Sequence, residues 1–342
     1  MPLRLIERAP WERGNPVVSA LVGLVLGIIL SVMIGFSTPA GPLGVVNALI
    51  RVYTSPSHIM STILYSGPIA ASAIGLSLAY RAKFITIGSE GQVILGSVIA
   101  IGLLLYSGLP EIPPATAILL AVFTAGVVGA LWGLIPGVLR AYLGVNEILS
   151  SLMLNYVALY IVNYLVSGPW SKGPFTMTHE VGPSYTIGPI HVLIILIALA
   201  VFYEWVLRYT TLGVGVNAYG SAPKAARTYG FNPKRLLVEI SLISGLTAGI
   251  GGALMLLGFQ HSLKSMSQPP GYGYMGILVA WLAFRSPLGS LLGGLFFASL
   301  LTVGYQLQIV GVPLNTVLAM QAVIVLSVLV TTTMSQYKVV WR

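Results

Sequence analysis

The chain has 342 residues, 56% of them hydrophobic and only 7% charged, with a mean hydropathy of +0.91. Soluble domains carry about 25% charged residues, so this composition excludes a water-soluble protein and makes lipid the solvent. There is no cysteine and no aspartate, which excludes disulfides and thiolate metal sites and leaves only eight glutamates as acids.

A membrane helix needs about 20 mostly apolar residues. Ten runs meet or approach that length: 17–36, 58–80, 92–106, 115–139, 147–167, 189–208, 236–260, 272–285, 287–304 and 313–334. The third and eighth are short, and the eighth meets the ninth at Pro287. None alternates as a membrane-barrel strand does, so the expected fold class is an all-α integral membrane protein of about ten transmembrane helices. Residues 17–36 follow a short basic N-terminus, but no small-x-small site precedes a soluble region, so they read as a retained helix. With the N-terminus inside, fourteen of the seventeen cations fall on the inner side: Arg4, Arg8, Arg13, Arg81, Lys83, Arg140, Arg208, Lys224, Arg227, Lys234, Arg235, Arg285, Lys338 and Arg342. Arg51, Lys172 and Lys264 remain outside. The net charge of +9 is therefore a topology signal that puts both termini in the cytoplasm, and it gives nucleic-acid binding no support.

Between the second and third runs stands Ser89-Glu90-Gly91-Gln92. It fits the capping box S-x-x-Q at a helix start, with Glu90 in the first turn, where the helix dipole favours negative charge. A helix that begins within or at the edge of the membrane needs such satisfaction, because bare N–H groups are costly in lipid. Discontinuous helices of this kind also occur beside transport paths. Further on, Ala125, Gly129, Gly133 and Gly137 repeat at four-residue spacing, as do Gly245 with Gly249 and Gly289 with Gly293. Such stripes let helix backbones approach closely. In the fifth run Glu147, Ser151 and Asn155 share a face, whereas Asn163 has rotated away from it. That stripe fits interfacial packing or the lining of a solute path or gate.

The inner segment 211–235 reads TLGVGVNAYGSAPKAARTYGFNPKR. Ser221 is placed to cap a short helix through Ala225, Ala226 and Arg227 to Gly230, and Asn232-Pro233 to open another. Lys224, Arg227, Lys234 and Arg235 make it basic. Anionic headgroups are one use of such a segment; two capped elements favour an ordered docking surface for a soluble partner.

Several chemistries have no residues to perform them. No G-x-x-x-x-G-K-[ST] loop is present, and without aspartate there is no acid of the usual kind for the nucleotide's metal. Gly271-Tyr-Gly273-Tyr-Met-Gly276 matches G-x-G-x-x-G, but it opens a membrane helix and no acid follows it. His58, His179, His191 and His261 lack metal-ligand spacing.

FITIGSEGQ and GVNEILSSLMLNYVALYIVNYLV resemble the corresponding segments of ABC-importer permeases of the simple-sugar and branched-chain amino-acid group, in particular its nucleoside branch. The likeness continues through GVNAYGSAPKAARTYGFNPKR, GYGYMGILVAWLAFRSPLGSLLGG and GVPLNTVLAMQAVIVLSVLV, covering roughly residues 65–332. It implies a type II importer fold, with the chain as one permease domain over 1–342 and a cytoplasmic coupling loop at 209–235. It implies a multi-pass subunit of the cytoplasmic (inner) membrane that is not itself an enzyme and binds no cofactor. ATP and Mg would be bound by a partner ATPase. The other partners implied are a second permease, commonly a different paralogue, an extracellular substrate-binding lipoprotein, the nucleoside cargo and membrane lipid. Carried over by position, Gly220, Lys224, Ala225, Ala226, Arg227, Gly230 and Asn232 form the coupling contact. Gly88, Glu90, Gly91, Gln92, Asn146, Glu147 and Asn155 lie near the central path, joined by Ser151 from the shared face. Two positions depart from the family pattern: a glycine is usual where Ala283-Phe284-Arg285 stands, and an arginine where Asn217 sits. The alternatives are a permease for simple sugars and an ion-coupled secondary transporter. The glutamates at predicted helix ends count against the second.

Overall fold

The computed structural model describes residues 3–7, 15–107 and 112–341. Arg8, Arg13 and Arg342, counted above as inner charges, lie outside them. Among the described residues nine helices are long and apolar enough to cross a membrane, and Tyr272–Leu282 is a shorter apolar one. The chain divides into two compact units, Met60–Ala298 and a second formed by Met1–Ile59 with Ser299–Arg342.

In the unit of the chain ends, α1 (Pro16–Gly35) packs against the last helix, Leu314–Gln336. Gly23 and Gly27 make this possible, since a Cβ on either would strike the backbone at Val328 or Ile324. The segment after α1, with Asn47 and Arg51 among its residues, is too short and polar to cross. It folds as α2 (Gly41–Thr54), which buries Val45, Ala48 and Val52 against Val303, Leu307, Val317 and Met320. Residues Leu3–Glu7 (β1) pair antiparallel with Tyr337–Trp341, forming a two-stranded ribbon.

The larger unit starts within α3 (Pro56–Arg81) and continues through α4 (Ser89–Tyr106), α5 (Pro114–Leu143), α6 (Glu147–Ser167) and α7 (Pro189–Tyr209). The short helices α8 (Thr211–Ser221) and α9 (Pro223–Thr228) lead into α10 (Pro233–Met255), which ends in a π turn at Leu256–Gln260. Then come α11 (Tyr272–Leu282) and α12 (Pro287–Ile309), and the chain finishes with α13 (Leu314–Gln336) and β2 (Tyr337–Trp341). Helices α3, α4 and α10 are largely buried, while α5, α6 and α7 keep broad outward faces. The small-residue stripes of α5 and α10 are where backbones touch, while Gly293 of α12 meets the Val279 side chain. A Cβ on Gly129 or Gly245 would meet the other helix's backbone, one on Gly249 would meet Ala125, and one on Gly96 would meet Gly249. Packing this close gives dispersion attraction in a solvent that offers no hydrophobic drive.

Candidate functional site

Helix α4 does not start at a membrane surface. Gly91 N–H donates to Asn155 Oδ1 at 2.9 Å, and Trp132 lies beside Gly91. Asn155 is eight residues into α6 and Trp132 eleven before the end of α5, about 12 and 17 Å along their axes at 1.5 Å per residue. In a hydrocarbon core about 30 Å thick, that is close to mid-depth. The chain reaches this level from Arg81 through residues 84–88, which are not helical. Irregular backbone at such depth must find partners within the protein. Ile87 N–H donates to Ser151 Oγ (3.0 Å) and its carbonyl accepts from Asn155 Nδ2 (2.9 Å). Gly88 N–H donates to Thr86 Oγ1, and Tyr80 Oη donates to the Thr86 carbonyl.

The capping box expected at 89–92 does not form. Gly88 is the N-cap and makes no side-chain cap bond, and Ser89 Oγ donates instead to the Gly273 carbonyl at 3.0 Å. Glu90 does stand in the first turn of α4, but its carboxylate serves another helix. Oε1 accepts from Gly271 N–H (2.7 Å), and Oε2 accepts from Gly273 N–H (2.7 Å) and Tyr274 N–H (3.2 Å). These are donors at the start of α11 that have no carbonyl of their own helix to bond. Two helix N-termini, each with a partial positive charge, thus meet near mid-depth around one fully buried glutamate. The G-x-G-x-x-G match now has a physical use. Gly271 adopts φ +90° and a Cβ on Gly273 would lie 2.5 Å from Glu90 Cα, so the glycines let α11 close over this carboxylate. A helix start that could cradle a phosphate is already filled from within the chain.

Gly88, Glu90, Gly91, Ser151 and Asn155 are therefore brought together, with Gln92 one turn along α4 and buried beside Gly133. Asn155 Nδ2 also donates to Tyr274 Oη at 3.2 Å, closing the network. Asn146 and Glu147 stand apart at the mouth of α6. Asn146 Oδ1 caps Ile148 and Leu149, and Glu147 pairs with Arg140 at 3.3 Å across the turn from α5. Asn163, on the other side of α6, bonds Ser265 and the Met266 backbone. Sequence reasoning missed Tyr274 and Trp132. Tyr274 sits in the glycine motif, whose spacing points to nucleotide binding and gives no sign of a contact with α6. Trp132 Nε1 is buried without a partner among the described residues.

In the inner segment, 211–221 is itself a helix, α8, capped by Thr210 Oγ1 accepting from Gly213 N–H at 3.3 Å. Its glycines masked it in the sequence. Ser221 is consequently the last residue of α8 and not a cap, and α9 follows from Pro223. The second expected cap is present, with Asn232 Oδ1 accepting from Lys234 and Arg235 N–H. Gly230 turns the chain between them at φ +84°. Gly220 is buried so tightly that a Cβ would strike the Arg81 carbonyl. Ala226 is also buried, while Lys224, Arg227, Gly230 and Asn232 face outward. Thr211, Phe231, Asn232, Arg235 and Glu239 border an open groove of about 320 Å³ alongside.

Arg81 links this segment to the deep cluster. Its carbonyl seats Gly220, and its Nε donates to the Arg285 carbonyl at 2.7 Å. Phe284 and Arg285 have φ of +52° and +59°, the left-handed region that favours glycine. The departure at 283–285 thus falls on a turn where non-glycine residues are held against about 1–2 kcal/mol of strain each.

A bundle of apolar helices that encloses a polar cluster near mid-depth and presents a folded basic segment at one end has the construction of a membrane transport subunit. The family described as the branched-chain amino acid transport system / permease component matches residues 58–331, and the chain belongs to it. It is a multi-pass ABC-importer permease of the cell membrane. Its similarities extend over nearly whole proteins. It is 28% identical to the nucleoside ABC transporter permease protein NupB of Lactococcus lactis, over 91% of this chain and 88% of that one. It is 28% identical to the guanosine ABC transporter permease protein NupP of Bacillus subtilis, over 92% of each. It is also 29% identical to the glucose ABC transporter permease protein TsgB13 of Haloferax volcanii, over 95% of this chain and 89% of that one. No solved structure matches the chain.

Proposed function

We propose that this chain forms half of a paired pathway that imports nucleosides, switched by a separate ATPase gripping α8 and α9. The observation that carries the reading is the line of contact from that segment to the deep cluster. Gly220 rests on the Arg81 carbonyl, Arg81 holds Arg285 at the far end of α11, and the near end of α11 is held by Glu90. A push on α8 and α9 is transmitted through α11 to the junction of two half-helices, the kind of place where transporters bind and gate cargo. Gly88, Glu90, Gly91, Gln92, Ser151 and Asn155 act there as the gate. They are buried in this conformation, so the gate is closed. Asn146 and Glu147 stand at its inner mouth. A separate ATPase supplies the hydrolysis, and a second permease and an external binding protein complete the system.

The terminal ribbon supports the topology. Ends that pair as β1 and β2 lie on one side of the membrane, which requires an even number of crossings. Among the described residues nine long helices plus the crossing completed by α11 make ten, which supports the reading with both termini cytoplasmic. Nucleosides are favoured as cargo by the names of NupB and NupP, and the glucose permease supplies the alternative. Uptake of labelled adenosine and glucose by cells carrying the complete transporter separates them. Adenosine import that stops when the ATPase is lost is expected; glucose import alone would overturn the cargo, and uptake indifferent to the ATPase would overturn the mechanism.

A further inference from the structure

The outward faces of the larger unit are not alike. Those of α5 and α7 carry no hydroxyl-bearing ring at mid-helix, with Leu119, Phe123, Leu131 and Ile135 on one and Ile194, Ile197, Val201 and Phe202 on the other. This is what hydrocarbon selects. Helix α6 instead presents Tyr156, Tyr160 and Tyr164, at 46%, 68% and 72% exposure, along one stripe. Tyr164 is near the end of α6, where an aromatic belt at the membrane interface explains it. Tyr156 and Tyr160 are nine and thirteen residues after Glu147, about 14 and 20 Å along the axis of a core about 30 Å thick. A hydroxyl exposed to hydrocarbon at that depth has nothing to bond. The face around these two residues therefore meets something polar.

We propose that Tyr156 and Tyr160 form the cargo-contacting wall of the import path, and that they recognise a planar, hydroxyl-bearing ring system. The inference rests on the nucleoside reading above and names the side chains that would serve it. The two rings project from successive turns, with Cβ atoms about 6 Å apart, so a flat base stacks on one before it reaches the next. Each hydroxyl both donates and accepts, which suits ribose hydroxyls and base edges equally. The position fits a path as well. Asn155, one residue before Tyr156 and about 100° from it around α6, holds Tyr274 and the backbone of residues 87–91, so the stripe begins at the depth of the closed gate. Cargo passing the gate would slide along this stripe.

The chain has no native cysteine, so single-cysteine variants can be made directly. Y156C and Y160C are compared with L131C and V201C in membranes of cells carrying the complete transporter, using a charged, water-borne thiol reagent. Labelling of the tyrosine positions at least about tenfold faster than the controls, slowed by saturating adenosine, is expected. Labelling rates equal to those of the controls would place the stripe in lipid and overturn the proposal. So would a lack of labelling together with cross-linking of Y160C to the second permease, which would make the face a subunit contact. If glucose protects and adenosine does not, the cargo assignment fails and the ring-recognition proposal falls with it. Labelling that neither solute slows would leave nucleoside import intact while overturning the role of these two residues. As a second readout, Tyr160→Phe keeps the stacking ring but loses the hydroxyl and slows adenosine import less than Tyr160→Leu, which lowers the maximal rate about tenfold, the size of one lost base–aromatic stack. Equal import by the Phe and Leu variants would count against stacking.

Discussion

Replacing Glu90 by glutamine preserves the size of the side chain and removes one of its two acceptor oxygens. The carboxylate accepts at 2.7 Å from Gly271 N–H on one oxygen, and at 2.7 and 3.2 Å from Gly273 and Tyr274 N–H on the other. An amide satisfies one side only and turns its own NH2 toward backbone donors on the other. One or two bonds to a buried acceptor are lost, and donors near mid-depth, out of reach of water, are left bare. Together these come to about 3–5 kcal/mol. Glu90→Asp fares little better, because one methylene fewer cannot span from α4 to the start of α11. The expected outcome is a melting temperature in detergent about 10 °C below wild type. Faster amide exchange should appear at 271–276, with exchange in the α5–α10 seam unchanged. A Glu90→Gln protein that melts within about 2 °C of wild type, with those amides equally protected, would refute the claim that this carboxylate holds α11.

Three further outcomes follow from the same geometry. Asn155→Leu strips partners from Gly91 N–H, the Ile87 carbonyl and Tyr274 Oη, and should cost about 2–4 kcal/mol, read as thermal stability in detergent. Gly249→Ala drives a methyl into the backbone at Ala125; separating α5 from α10 should cost about 1–3 kcal/mol, against near neutrality for Gly173→Asn, whose Cβ position is open and whose φ of +61° asparagine tolerates. Arg227→Glu, a change on an outward-facing residue, should leave the fold and binding to the external receptor intact while abolishing ATP-driven import; undiminished uptake would detach α9 from coupling.

The helical runs were legible because lipid imposes a length and a composition. The run 147–167 coincides with α6, and 189–208 falls one residue short of α7. Asn232 was readable as a cap because its partners, Lys234 and Arg235, lie two and three residues away. What the sequence concealed was decided by distant contacts. Ser89 and Gln92 have the spacing of a capping box, yet Ser89 bonds to Gly273, 184 residues on, and Glu90 caps a helix other than its own. The depth of Glu90 was hidden as well, because the non-helical stretch 84–88 looks like an ordinary surface turn until Ser151 and Asn155 are seen bonding it. Helix α8 was obscured by Gly213, Gly215 and Gly220, which lower local helix propensity but allow close seating against Leu207, Phe231 and Arg81. Helix α2 lacks a crossing helix's apolar length and is held by the side chains it buries.

The proposal that an engine outside this chain drives the cargo through it is open to a direct test. Purified complex in proteoliposomes, with ATP on the α8–α9 side and receptor-bound adenosine on the other, measures this in one assay. Adenosine accumulation that needs ATP hydrolysis and vanishes with Arg227→Glu is the expected result. Accumulation by this chain without the ATPase, driven by a proton or sodium gradient, would contradict it.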